Sequence, residues 1–269
     1  MGSLVAALVF SGMVHAFVIN LGDPSGYRAR IEVTPTADPR VLRIVVANLT
    51  TLGLSVPLPT GVSGSCPQSV TSGIDAACRL LTSFGWTYNA IGQSITGGSV
   101  TIATGSSGRG KIGPNEFTYG AGTDWSAEWG FGNNKPMDGT GDLDFISTNE
   151  AHMTQFATSP NRDGPAGLGG PQGGILSQAF TDAGGLGFVK DTLVFLVTFN
   201  ADLTSSDLQA LQKATWWVEF GSSGYFLCVG PDPRCRPPVT ASEPGSLVLM
   251  GTALAGVLTV GGLRRRRRA

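Results

Sequence analysis

Glycine or proline interrupts this chain about once in every five residues, with 39 glycines and 16 prolines among 269 positions, and such frequent punctuation limits the folds open to it. In a helix interior glycine costs about 1 kcal/mol and proline about 3 kcal/mol relative to alanine, so long helical bundles are excluded. What stands between the breakers favours strands. Residues 28–34 (RARIEVT) alternate polar and apolar, and 40–49 (RVLRIVVANL) form a longer β-branched run. Further strands are expected over 99–103, 192–199, 215–220 and 225–229, each bounded by Gly, Pro, Asn or Asp. The run Leu193, Val194, Phe195, Leu196, Val197 is continuously apolar and is expected at the centre of the core. In 215–220, Trp216, Val218 and Phe220 point one way and Trp217 and Glu219 the other, the mark of a half-buried strand with an aromatic inner row.

Two short helices fit the pattern. In 72–82 a serine cap precedes Ile74, Ala77, Cys78 and Leu81 at spacings of three and four. In 205–213 a serine start, an early Asp207 and a late Lys213 agree with the helix dipole. Between about 104 and 187 the chain turns glycine-rich, with 160–174 (PNRDGPAGLGGPQGG) its loosest stretch. The fold class expected is mainly β: an antiparallel β-sandwich, jelly-roll-like, with one or two short helices. Hydrophobic residues at 41% suffice for a core, and a net charge of −1 gives no overall pull toward nucleic acid.

The two ends differ from this body. Residues 1–16 carry no charge, and Leu4 begins an apolar run that Ser11 and Gly12 break. Val14 and Ala16 precede a cut site between Ala16 and Phe17, so 1–16 reads as a signal peptide that hands the chain to the secretion translocon. At the other end, 246–263 (SLVLMGTALAGVLTVGGL) is uncharged and reaches the lower limit for crossing a bilayer. Arg264, Arg265, Arg266, Arg267 and Arg268 follow at once and mark a cytoplasmic stop. Just before this transmembrane helix stand Ser242, Glu243 and Pro244.

This order resembles the PEP-CTERM sorting signal of exported Gram-negative proteins: a Pro-Glu-Pro-like tripeptide, a short glycine-bearing apolar helix and a terminal arginine cluster. Glu243 and Pro244 match the second and third motif positions, and Ser242 replaces the usual first proline. The resemblance covers 242–268 and not the body. It implies a membrane processing enzyme of the exosortase type as partner, transient anchoring and removal of the tail, and a final place at the cell surface or outside the cell, in company with exopolysaccharide. It also favours a sandwich body, since such bodies are common among carriers of the signal. The organisation expected is thus signal 1–16, exported body 17–240 and sorting tail 242–269. With the tail arginines and Glu243 set aside, the body is mildly acidic. Leu58, Pro59, Thr60 and Gly61 look like a shortened sortase motif, but mid-chain and with no span behind them they read as a turn.

Export implies an oxidising compartment, where the four cysteines, Cys66, Cys78, Cys228 and Cys235, read as two disulfides. Three pairings are open, and the local ones, Cys66 with Cys78 and Cys228 with Cys235, close the shortest loops. The spacings do not match a C-x-x-C zinc pair. Three further features carry candidate chemistry. Residues 105–112 (GSSGRGKI) have the frame of a phosphate loop, but Ile112 stands where Ser or Thr should hold magnesium, so they read as a glycine-rich turn with solvated Arg109 and Lys111. Asp138, Asp142 and Asp144 cluster as a calcium candidate, without EF-hand spacing; no other cofactor is indicated. Trp125 and Trp129 lie among loops and are candidate glycan contacts. His152 is the sole histidine of the body and no nucleophile elbow is present. The expectation is an exported, non-enzymatic surface or matrix protein, with a polysaccharide-binding module and a secreted hydrolase of matrix glycans as alternatives.

Overall fold

In the computed structural model the residues described are 16–23, 26–51, 76–112, 114–137, 141–149, 153–157, 162, 171–183, 185–221, 225–233 and 235. The chain begins with β1 (Phe17–Gly22), β2 (Arg28–Pro35) and β3 (Val41–Asn48), an antiparallel meander. A 3-10 turn over Ala76–Arg79 enters β4 (Leu80–Thr87), followed by β5 (Ile95–Ile102) and the hairpin β6 (Ser107–Ile112) and β7 (Asn115–Tyr119). Then come β8 (Gly130–Met137), β9 (Gly141–Ser147), the two-residue β10 (Thr154–Gln155), β11 (Gly174–Leu176), β12 (Phe188–Lys190) and β13 (Thr192–Phe199). Helix α1 (Ser205–Lys213) leads to β14 (Trp216–Phe220) and β15 (Tyr225–Val229). All these elements lie in the unit Met1–Arg236. The protein is mainly β, as its punctuation predicts.

The strands form two sheets. The first runs β1-β2-β3-β13-β5 and is antiparallel throughout. In the second, β4 is the hub: β9 pairs with it over Ser83–Thr87, β11 over Leu80 and Leu81, and β14 from Leu81 to Trp86. From this hub β8 and β10 extend beyond β9, β15 beyond β14, and β12, β6 and β7 beyond β11. The β11–β12 pair is parallel, so the second sheet is mixed where the sequence predicts antiparallel strands. The loop 177–187 supplies the crossover of roughly a dozen residues that a parallel pair requires.

The sheets share one aromatic core. Phe195 on β13 meets Phe84 on β4 at 4.8 Å between ring centroids and Trp129 at 5.0 Å. Trp86 packs on Trp216 at 5.1 Å and on Phe199 at 6.4 Å. Such pairs add about 0.5–1.5 kcal/mol each beyond area burial. Polar ties cross between the sheets. The Asn133 amide donates to the carbonyl of Ile95 and accepts from its N–H, both at 2.8 Å, which occupies part of the β5 edge. The buried Asn48 amide donates to Arg79 O at 2.9 Å and Ile175 O at 2.7 Å and accepts from Thr50 N at 3.1 Å.

Four local expectations change. The helix expected over 72–82 is a 3-10 turn followed by β4; residues 72–75 lie outside those described. Ala77 and Cys78 belong to the turn and Leu81 to β4, and β4, buried on both faces from Leu80 to Trp86, lacks the alternation that would mark it as a strand. Helix α1 holds, but its cap is Thr204: its hydroxyl accepts from Asp207 N while Asp207 accepts from Thr204 N, a reciprocal capping box. Strand β13 is an interior strand of its sheet yet one-sided, with Leu193, Phe195 and Val197 buried and Leu196 39% exposed. Strand β14 is the reverse: expected half-buried, it is covered on both faces. The expected signal segment (apart from Ala16), the span 246–263 and the whole sorting tail lie outside the described residues, among which no helix is long and apolar enough to cross a membrane.

Candidate functional site

The outer face of the second sheet carries the most organised polar chemistry among the described residues. Strands β9, β4 and β14 lie side by side, and their register puts Ser147, Ser83 and Glu219 in one row. The flanking residues Ile146, Phe84 and Val218 turn into the core, so strand alternation directs this row outward. The Ser83 hydroxyl donates to Glu219 Oε2 at 2.6 Å. The same hydroxyl lies 2.7 Å from Ser147 Oγ, so its one proton is shared between the two acceptors. Ser147 Oγ in turn accepts from Asn149 N at 2.8 Å, and the Asn149 amide donates to Glu219 Oε2 at 3.2 Å and Gly221 O at 2.9 Å. The row closes into a ring of donors around a carboxylate that is only 6% exposed. A buried carboxylate survives when its lone pairs are met in this way.

The next row is Phe145, Gly85, Trp217 and Cys228. A Cβ on Gly85 would come within 2.4 Å of Asp144 O and 2.5 Å of Phe145 Cβ, so the position has no room for a side chain. Over the bare glycine, Phe145, Trp217, Ser83 and Glu219, with Leu143 and Phe226 beside them, line a shallow trough of about 10 Å³, room for one water molecule. Trp217 is 5% exposed, and its indole N–H meets no acceptor among the described residues. Cys228 and Cys235 form a disulfide, with Cα atoms 5.5 Å apart, and pack with Trp217, Phe145, Leu143 and Met153. The bond thus fastens the segment after β15 against the trough wall.

The residues marked in the sequence fall elsewhere. Trp125 and Trp129 are wholly buried, and both indole N–H groups donate to Gly173 O, at 3.0 and 3.2 Å. The expectation that they offer stacking faces to a glycan is therefore corrected: they fill the core beneath the loops. Asp144 is also buried and accepts from Asn134 N at 3.0 Å. Burial pushes its carboxyl above the usual range, against the Asn134 N–H and the Trp86 indole, which favour the charged form. Asp142 is exposed and Asp138 lies outside the described residues, among which no group of three metal-ligating side chains could hold an ion. Cys78 is disulfide-bonded, and Cys66 lies outside the described residues, as do His152, Ser242, Glu243, Pro244 and Arg264 to Arg268. Much of the phosphate-loop look-alike is strand β6 instead of a turn, with Arg109 paired to Glu116 at 2.6 Å.

Sequence alternation places Trp217 and Glu219 on one outward face, but the partners of Glu219 escape it. Ser83 stands 136 residues away from Glu219 and 64 from Ser147, and no local signal joins them. No family model, curated protein or solved structure matches this chain.

Proposed function

We propose that this chain is an exported, non-enzymatic protein of the cell surface or extracellular matrix, associated with exopolysaccharide. Its body is read as a jelly-roll-like sandwich and its tail as an exosortase sorting signal. The observation that supports export most is the Cys228–Cys235 disulfide, placed shortly before that tail. Such bonds persist in oxidising compartments and are rare in the reducing cytosol. In this reading the translocon passes the body outward and the span 246–263 holds it in the inner membrane. Arg264 to Arg268 stay on the cytoplasmic side, and the processing enzyme cuts near Glu243 and Pro244. Nucleic acid has no part in it. The test is the paired variant Glu243→Ala, Pro244→Ala in the native host. It should accumulate in the inner membrane at full length while the wild type leaves it, and equal release of both would contradict sorting through this motif.

A further inference from the structure

Strand β7 ends its branch of the second sheet, and among the described residues only β6 pairs with it. Asn115, Glu116, Phe117 and Thr118 are all exposed, with Phe117 at 43%. A free edge presents a row of N–H and C=O groups ready to pair with another chain, and proteins ordinarily blunt such edges with unpaired charge, proline or a bulge. The edge of β5 is partly taken by the Asn133 amide. Strand β7 has no proline and pairs with β6 without a register shift. Its one charge, Glu116, is already matched by Arg109 on the neighbouring strand.

We infer that β7 is a self-association edge, pairing antiparallel with β7 of a second copy about a two-fold axis at Phe117. The occupant and the register follow from the strand itself. A two-fold axis that extends a sheet from its edge strand stands perpendicular to the sheet and makes the contact isologous. Centring it on Phe117 pairs all five residues: Asn115 with Tyr119, Glu116 with Thr118, and Phe117 with its own copy. Centring it on Glu116 would oppose like charges, which destabilises a cross-strand pair.

With Phe117 on the axis, the charges fall into complementary order. Within one chain Arg109 lies opposite Thr118 and Lys111 opposite Glu116. Across the joint each row reads Arg109, Thr118, then Glu116 and Lys111 of the second copy, so the acid sits between bases and no like charges adjoin. On the other face, Phe117 lies beside Gly110 in its own chain and meets its twin across the axis. The association is independent of export and of the trough, and it would let exported bodies join pairwise.

Position-specific cross-linking of the full chain tests this. No described cysteine is free, so an introduced thiol in the body supplies the new chemistry. Phe117→Cys should give a disulfide-linked dimer under mild oxidation. Leu196→Cys, on the outer face of the first sheet, should not. Glu116→Cys mixed with Thr118→Cys should link to one another, and neither should link to itself, because residues offset by two positions across the joint exceed the roughly 7 Å that a disulfide spans. In sedimentation, Phe117→Lys should weaken wild-type association at least tenfold. Linking of Phe117→Cys no faster than of Leu196→Cys, self-linking of Thr118→Cys, or association untouched by Phe117→Lys would each overturn the proposal.

Discussion

The two sheets of this protein use their second faces differently. The first sheet gives one face to the core and leaves the other to solvent, with Arg30, Arg43 and Leu196 exposed between buried neighbours. Strands β2, β3 and β13 accordingly alternate in burial, and β2 alternates in sequence as well. The second sheet buries both faces along β4 and β14, and its outer face holds the Ser147–Ser83–Glu219 row and the trough over Gly85. A sheet wet on one side announces itself by period two, whereas a sheet covered on both sides loses that signature.

The sharpest way to break this comparison lies within β13. Phe195→Ala, which opens a hole against Phe84 and Trp129, should cost about 3–5 kcal/mol in urea unfolding. Its neighbour Leu196→Ala should stay within about 0.5 kcal/mol. Comparable losses at both positions would mean that the outer face of the first sheet is covered after all.

The disulfide comes next. Cys228→Ser with Cys235→Ser should cost about 2 kcal/mol, because the bond closes a short loop. The loss should also raise the fluorescence exposure of Trp217, which packs in the same cluster. A smaller effect is expected within the polar row: Ser83→Ala removes one donor from Glu219 while Asn149 still donates to it, and should cost about 1 kcal/mol. A neutral outcome there would mean that water reaches the carboxylate and that the two outer faces are more alike than they look.

The smallest effect at neutral pH belongs to Tyr27, at the junction of β1 and β2. Its ring is buried against Tyr225 and Phe220, its hydroxyl meets no partner among the described residues, and Asp23 accepts from the neighbouring Tyr225 hydroxyl. Burial, with the Asp23 charge adding to it, pushes the Tyr27 hydroxyl up to about 12. The folded chain therefore holds this proton more tightly than the unfolded one. Stability is unaffected below about pH 10, the ordinary tyrosine value, and declines as pH rises from there. Tyr27→Phe should be near neutral at pH 7 and should flatten the decline of Tm between pH 10 and 12. An unchanged alkaline slope would exclude Tyr27 as its source.

Much of the first sheet was legible in the sequence, because β2, β3 and β13 combine β-branched residues with punctuation at both ends. Helix α1 was legible from its charges, although the cap proved to be Thr204. Strand β4 was not, since LLTSFGW is apolar or small almost throughout and carries no period that separates a doubly covered strand from a helix. The glycan expectation at Trp125 and Trp129 failed for a related reason: glycine-rich surroundings resemble exposed loops even where they lie over the core. The outward direction of Trp217 and Glu219 could be read from alternation. Their alignment with Ser83, Ser147 and Gly85 depends on which strands become neighbours, and local patterns do not encode that.

The central claim, export followed by removal of the tail, is tested most directly by the intact mass and C-terminal peptide of the protein recovered from its native host. The account predicts a product that begins near Phe17, ends near Glu243 and is found in the envelope or the medium. A full-length chain ending at Ala269 and held in the inner membrane would contradict it and make the tail a permanent anchor.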